Sequence, residues 1–524
     1  MSREARPASV ARACVCRAMR WLAAASIVSA STSAMSAEPA ARDASAASSG
    51  NAALHDCHVA GIRNGVLCGA VQRPLDPALP GGRQISVRYV VVPAMARRKR
   101  ADPVFLLAGG PGQSAIALAA SALPLFVRLN NRRDIVFVDQ RGTGISAPLT
   151  CPEVDPESMA EQADPVRQLQ LTLACKQALL KLPYVQSERD LGLFTTWIAV
   201  QDLDAVRRAL GAERIDLVGG SYGTRVALEY LRQFPTHARR TVVDGVAPPD
   251  MALPASFSAD NQAAFDALVA ACAAEAACAL AHPALREHAA ALLRALPSEV
   301  RVAQPLTGRS ETFTLTRDMV LAAVRGALYA PAVAAALPQA LDEAAAGRFE
   351  GLVGINALFG ARKSTRLAAG MHLSVVCAED LPRVGRTGDV PGADFGAQFE
   401  RFYAQLCGAW PRGDVPDAFY RVGPAASPVL LLSGGLDPAT PPRHGERMAR
   451  ALGPMARHVV VANAGHGVMA IGCMRDVVFR FIDAAEDREA LGVDAGCAAK
   501  VPRPPAYRPI ESAAATSSAK APSR

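Results

Sequence analysis

Three side chains of this 524-residue sequence, far apart along the chain, could together carry out nucleophilic acyl chemistry. Ser221 lies in Gly219-Gly220-Ser221-Tyr222-Gly223, Asp437 in Ser433-Gly434-Gly435-Leu436-Asp437-Pro438, and His466 in Asn463-Ala464-Gly465-His466-Gly467. A serine hydroxyl is a weak nucleophile; it needs a base to take its proton and a third group to orient that base. The order Ser, acid, His supplies all three, with His466 as base and Asp437 holding the imidazole tautomer. Asp244 is the competing acid, although its place at the end of the apolar run 241–243 suits it better to anchoring the loop that leaves the strand. Acyl transfer also needs two N–H groups aimed at the developing oxyanion. Tyr222, directly after the serine, offers one, and the loop Ala108-Gly109-Gly110-Pro111-Gly112 offers the other from Gly110, with Pro111 stiffening the loop without donating.

A lone G-x-S-x-G is weak, because a glycine-containing chain produces it by chance, so the surrounding elements carry the argument. The apolar run 215–218 predicts a strand and 221–234 a helix ending before Pro235, which is the strand–turn–helix setting that exposes a serine on a sharp turn. Further strands are predicted over 85–92, 104–107, 135–138, 241–243, 428–433 and 458–461, and a helix over 197–210, where Ala199, Leu203, Val206 and Leu210 recur at helical spacing before Gly211. The basic run Arg97-Arg98-Lys99-Arg100 between the first two strands reads as a solvated hairpin turn. Asp437 and His466 both follow apolar strands, and open α/β sheets place their sites on the loops beyond the carboxyl ends of strands.

Strands alternating with helices imply βαβ units and a mostly parallel sheet with helices on both faces. The alternation stops near residue 250 and resumes near 428; the Ala- and Leu-rich stretch between reads as a helical insertion, with helices over 263–272 and 338–346. The expected organisation is a secretory signal peptide over 1–37, a leader with an N-terminal disulfide loop over 38–80, an α/β core over 81–250 and 423–500, a helical cap over 251–422, and a mobile Pro/Ala/Ser-rich tail over 501–524.

Half of the residues are hydrophobic and 20% are charged, which excludes a disordered chain. Half of the formal net charge of +8 falls in residues 1–37, which hold five Arg and one Glu ahead of a short apolar run and a small-residue stretch. That is the layout of an export signal, and the remaining charge is too dilute to argue for a nucleic-acid partner. Export makes the ten cysteines beyond the signal candidates for disulfides. Taken as neighbours along the chain they pair as Cys57 with Cys68, Cys151 with Cys175, Cys272 with Cys278, Cys377 with Cys407, and Cys473 with Cys497. No CxxC pair or histidine cluster accompanies them, so neither a metal nor another cofactor is expected.

The GGPG loop, the segment Asp139-Gln140-Arg141-Gly142-Thr143-Gly144, the serine motif with Thr224, and the Asp437 and His466 loops occur in one order over residues 80–480. Together they resemble the branch of the α/β-hydrolase family that contains proline iminopeptidases and secreted tripeptidyl aminopeptidases. The resemblance implies an α/β-hydrolase fold with an inserted helical cap and a serine exopeptidase acting on free N-termini. Ala108 stands where the iminopeptidase branch has His before the two glycines, which favours the tripeptidyl side. In such enzymes acidic cap residues hold the substrate's α-ammonium. The segment Ser374-Val375-Val376-Cys377-Ala378-Glu379-Asp380 is similar to one near the site in this branch, and it makes Glu379, then Asp380, the candidate substrate anchors. Water-facing acids are the plain alternative.

The expected protein is therefore a secreted or periplasmic monomer acting on a peptide or small acyl substrate, with no nucleic-acid partner and no membrane span once the signal is removed. A carboxylesterase or lipase acting on small acyl esters is the second reading, since it uses the same acyl-transfer groups. A non-catalytic binding protein that keeps the fold is the third.

Overall fold

A computed structural model of the chain describes residues 54–508 apart from 153–157, 159, 162, 163, 305, 306 and 361–366. The expected signal peptide, the leader up to residue 53 and residues 509–524 lie outside the described residues. Among the described residues nine strands form one sheet: β1 (His55–Cys57), β2 (Val66–Pro74), β3 (Gln84–Val92), β4 (Val104–Leu107), β5 (Ile135–Val138), β6 (Ile215–Gly220), β7 (Ala238–Asp244), β10 (Val429–Gly434) and β11 (Ala456–Val461). Two more, β8 (Ser298–Ala303) and β9 (Ser310–Leu315), pair antiparallel by themselves. The large sheet runs β1-β2-β3-β5-β4-β6-β7-β10-β11, antiparallel from β1 to β5 and parallel from there on.

The parallel strands are apolar without interruption because both faces of the sheet are covered. Their side chains divide between two clusters with a period of two. Phe105, Leu107, Leu217 and Leu431 belong to one, and Val104, Leu106, Val218 and Leu432 to the other. Helices α1 (Ala115–Asn130), α2 (Thr196–Ala209) and α3 (Tyr222–Gln233) connect the early strands. The connection leaving β4 turns to β5 on one side, while β6 lies on the other, so the chain reverses its direction of winding between β4 and β6. That crevice is where open α/β sheets bind ligands.

Between β7 and β10 the chain forms helices that include α4 (Leu253–Ala274), α5 (Arg317–Leu328), α6 (Ala369–Val375) and α7 (Gln398–Gly408). Leu268, Leu292, Val324 and Leu341 anchor a third apolar cluster here, separate from the two that flank the sheet. The helix α8 (Pro442–Leu452) follows β10.

Four expectations need correction. The core begins before residue 81, because β1 and β2, within the expected leader of 38–80, are strands of the large sheet. The Arg97–Arg100 run is solvated but is not a hairpin turn, because β5 lies between β3 and β4. The insertion is not purely helical; the alternation of Val300, Val302, Phe313 and Leu315 lets β8 and β9 bury one face on the third cluster. The segment 501–508, expected to be mobile, is seated: Tyr507 N–H donates to Ala335 O (2.8 Å), and the Asn463 amide donates to Val501 O (2.9 Å).

Candidate active site

β6 delivers its strand end to Ser221, which has φ 54° and ψ −123°. A left-handed conformation in a residue with a Cβ costs on the order of 1–3 kcal/mol and persists only where the surroundings enforce it. The two motif glycines explain why the turn can be so tight. A Cβ at Gly219 would strike the Gly223 carbonyl, and one at Gly223 would strike the Leu107 carbonyl of β4. Ser221 N–H donates to Asp244 O (2.8 Å), and the Thr224 hydroxyl donates back to Ser221 O (2.6 Å). The Ser221 hydroxyl makes no capping bond to α3 and stays available for chemistry.

His466 Nδ1 meets Asp437 Oδ2 at 2.8 Å, which leaves Nε2 as the proton acceptor. Asp437 is fully buried and fastened by its own loop, accepting from Ala439 N–H (2.8 Å), Thr440 N–H (2.9 Å) and the Thr440 hydroxyl (2.8 Å). Burial alone would raise the Asp437 carboxyl, but His466 and these donors outweigh it and hold it below the usual carboxylate range. The same pairing overcomes burial at His466 and raises the imidazole above its ordinary value.

Asp244 does not bond the imidazole. Its carboxylate accepts from Val468 N–H and Met469 N–H (2.9 Å each), and burial pushes its pKa up to about 6. Asp244 thus links the serine turn, through its carbonyl, to the histidine loop, through its side chain. The next residue keeps the two together: a methyl on Gly245 would stand 3.1 Å from His466 Cε1.

The glycine loop closes the site from the β4 side. A methyl on Gly109 would lie 3.2 Å from Ser221 Cβ. Tyr222 N–H heads α3, where the first four N–H groups have no partner within the helix, and neither it nor Gly110 N–H donates to another backbone group among the described residues. Helix α6 clamps this loop. Ala368 N–H donates to Gly112 O (2.9 Å), and His372 Nδ1 meets Pro111 O (3.1 Å) while its Nε2 meets the Tyr403 hydroxyl (2.8 Å). Burial lowers the His372 pKa, so the ring is neutral, with Nδ1–H the donor to Pro111 and Nε2 the acceptor from Tyr403.

Glu379 and Asp380 occupy another position than the sequence suggested. Both are completely buried, which removes the water-facing alternative and leaves neither presented at an open surface. Glu379 accepts from Thr196 N–H (2.6 Å), the Thr196 hydroxyl (2.9 Å) and Arg225 (3.3 Å); Asp380 accepts from Arg225 (2.8 Å) and Leu253 N–H (3.1 Å). With three protein donors on each carboxylate and no surface open to solvent, neither is presented to a substrate ammonium in this structure, so the anchor assignment is withdrawn. Their reach toward the site is indirect: Thr196 Oγ1 lies 2.6 Å from the Tyr222 hydroxyl, which also accepts from the Gln140 amide (2.9 Å).

Several supporting residues escaped sequence reasoning. Thr440, three residues past Asp437, follows the spacing by which a carboxylate fastens its own turn, a signal that was readable. Arg225, His372 and Tyr329 carried none. Asp139 explains its motif: it accepts from the Ser114 hydroxyl (2.7 Å), Ile116 N–H (3.1 Å) and Ile145 N–H (3.0 Å), fixing the start of α1 directly after the glycine loop. Disulfides join Cys57 to Cys68, Cys151 to Cys175, Cys272 to Cys278, Cys377 to Cys407 and Cys473 to Cys497. No three His, Cys, Asp or Glu side chains among the described residues are grouped to hold a metal ion, and no helix there is long and apolar enough to cross a membrane.

A strained serine at the β4/β6 crevice, tied through Asp244 to the loop of a carboxylate-bound histidine and set against a glycine loop, defines a protein equipped as a serine hydrolase. The comparisons agree with the topology: residues 102–321 match the α/β hydrolase fold family and residues 393–490 the TAP-like protein family, and the chain belongs to the α/β-hydrolase fold. It is similar to the tripeptidyl aminopeptidase of Streptomyces coelicolor, 35% identical over 197 residues, which cover 35% of this chain and 36% of that protein. It is similar over a longer stretch to serine protease Hip1 of Mycobacterium tuberculosis, 26% identical over 420 residues covering 75% of this chain and 80% of that one. Carboxylesterase B of Mycobacterium tuberculosis is 29% identical over 227 residues, 41% of this chain and 43% of its own length. The chain thus matches about a third of the first relative and four fifths of the second.

Proposed function

We propose that the protein is an exported serine peptidase that works through an acyl-enzyme and releases short peptides or single residues from free N-termini. The observation that carries the acyl-transfer reading is the 2.8 Å pairing of His466 Nδ1 with Asp437, beside a serine held at positive φ. In this mechanism His466 Nε2 takes the Ser221 proton as Oγ attacks the substrate carbonyl. Tyr222 N–H and Gly110 N–H receive the oxyanion. The imidazolium, stabilised by Asp437, then hands its proton to the departing amine, and water releases the acyl group by the reverse sequence. Residues 251–422 act as a cap over the site. Five disulfides support export, since such bonds persist in oxidising compartments. The peptide preference draws support from the names of the Streptomyces and Hip1 relatives.

A second reading, an esterase for small acyl esters, gains from the burial of Glu379 and Asp380, which removes the expected ammonium anchor, and from the likeness to a carboxylesterase. Purified mature protein assayed on free and N-blocked di- and tripeptide reporters beside a short-chain ester panel separates the two. Preference for free N-termini supports the peptidase; equal rates on blocked peptides, or ester turnover alone, overturn it.

A further inference from the structure

Helix α5 of the insertion ends against the candidate catalytic histidine. Tyr329, its C-terminal cap, accepts the His466 N–H on its carbonyl (3.0 Å) and sets its ring edge-on to the imidazole, with centroids 4.9 Å apart. One turn earlier, on the same side of the helix, stands Arg325. Its guanidinium lies 4.8 Å from the centre of the Phe399 ring, and its Nε is buried with no hydrogen-bond partner. Arg225, Arg239, Arg240 and Arg447 also have a buried Nε without a hydrogen bond, but each grips a carboxylate. Arg383, whose guanidinium lies 4.9 Å from the centre of the Tyr420 ring, shares the bare Nε, and what sets Arg325 apart is its place one turn from Tyr329. Arg325 has no carboxylate partner among the described residues. Its charge reaches both sides of the cleft: burial raises the Tyr329 and Tyr403 hydroxyls, and Arg325 opposes the rise at each. Tyr403 in turn bonds His372, which holds Pro111 of the glycine loop. A half-buried cation without a counter-charge is costly, and an anionic ligand would supply the missing partner.

We infer that Arg325 receives a carboxylate of the substrate and makes the site selective for anionic substrates, an inference that rests on the serine-hydrolase reading of the same cleft. The histidine is the side from which the leaving group departs, because His466 gives that group its proton. The carboxylate therefore belongs to the part of the substrate beyond the scissile bond, where the guanidinium fork can accept it bidentately. It is either an acidic side chain or a free C-terminus.

The test uses the full chain and two pairs of short peptides, one pair differing as Glu against Gln after the scissile bond, the other as free against amidated C-terminus. The ratio of kcat/KM within each pair is measured for the native protein and for Arg325→Gln, Arg325→Lys and Arg325→Glu. A charge-assisted contact of this kind predicts a preference of about 10- to 100-fold for the carboxylate member of at least one pair. Which pair responds identifies the source. Arg325→Gln brings the ratio toward unity, Arg325→Lys keeps part of it, and Arg325→Glu inverts it. A native ratio near unity in both pairs, or a ratio that Arg325→Gln leaves unchanged, overturns the inference. Calorimetric binding of the same pairs to Ser221→Ala separates the two claims. Charge-selective binding without turnover by the native protein overturns the enzymatic reading and keeps Arg325; turnover without charge selectivity does the reverse.

Discussion

The main-chain N–H of Ser221 donates to the carbonyl oxygen of Asp244 at 2.8 Å, and this bond ties the strained serine to the strand that holds the histidine loop. Asp244 reads both ways, since its carboxylate accepts two N–H groups just past His466. Asp244→Asn presents an amide nitrogen where an acceptor is needed. The expected result is a fall in kcat of about 10- to 100-fold, the size of one lost charge-assisted bond, with KM little changed. An unchanged kcat would show that the loop holds its position unaided.

The pairing of His466 with Asp437 sets the pH dependence. The imidazole is held above its ordinary value and must be neutral to act as base, so activity rises with pH through a value above about 6.5. Asp437→Asn removes the charge that raises it, so the acid limb moves to lower pH while kcat drops by about 10⁴-fold through loss of the tautomer. A pH–kcat/KM profile of both proteins checks the direction, and an acid limb that stays in place assigns the orienting role elsewhere.

Thr440 contributes a hydroxyl and an N–H to Asp437, and its hydroxyl also lies 3.2 Å from His466 Nδ1. Thr440→Val keeps the shape and the N–H but deletes the hydroxyl donor. Turnover should fall by about 10- to 100-fold and recover in Thr440→Ser, as steady-state kinetics on any turned-over reporter would reveal. Equal activity in the Val and Ser variants would remove the hydroxyl from the mechanism.

Arg225 neutralises two buried carboxylates at once. Arg225→Met leaves both unpaired and should cost about 3–5 kcal/mol of stability, visible as a lower melting temperature. Glu379→Gln tests the withdrawn anchor role directly. Its KM for free N-terminal peptides and for blocked ones should change alike; a selective rise for free N-termini would restore the anchor.

His372 couples the glycine loop to α7 through Pro111 and Tyr403. His372→Phe fills the space without either hydrogen bond. Affinity for a boronic-acid transition-state analogue should weaken by about 10-fold while substrate KM holds, because the loop's task arises only when the oxyanion forms. Parallel weakening of both would mean that the loop shapes the ground state instead.

Much of the sheet was legible because strand signals are local. Val104–Leu107 and Ile135–Val138 are short apolar runs bounded by turns, and both appear as strands with those limits. β8 and β9 were missed although Val300, Val302, Phe313 and Leu315 alternate, because they sit within a long Ala- and Leu-rich stretch whose helical pattern dominates. Glu379 and Asp380 could be recognised as unusual, but not placed. An acid that binds a ligand and an acid that binds an arginine 154 residues away have the same local sequence.

By itself the sequence determined the residue types able to perform acyl transfer, their order, and the strand ends from which they project, because each depends on a few adjacent residues. Motif order favoured Asp437 over Asp244 as the acid, but only tertiary structure brings one of them to the imidazole. Asp244 ends β7 and Asp437 follows β10, both at the same edge of the parallel strands, and the choice turns on which loop reaches His466. It also decided that Glu379 and Asp380 serve Arg225, and that Arg325 is left without a counter-charge beside Tyr329. Pairing between charges is a matter of distance and burial, and neither exists until the insertion is packed against the core.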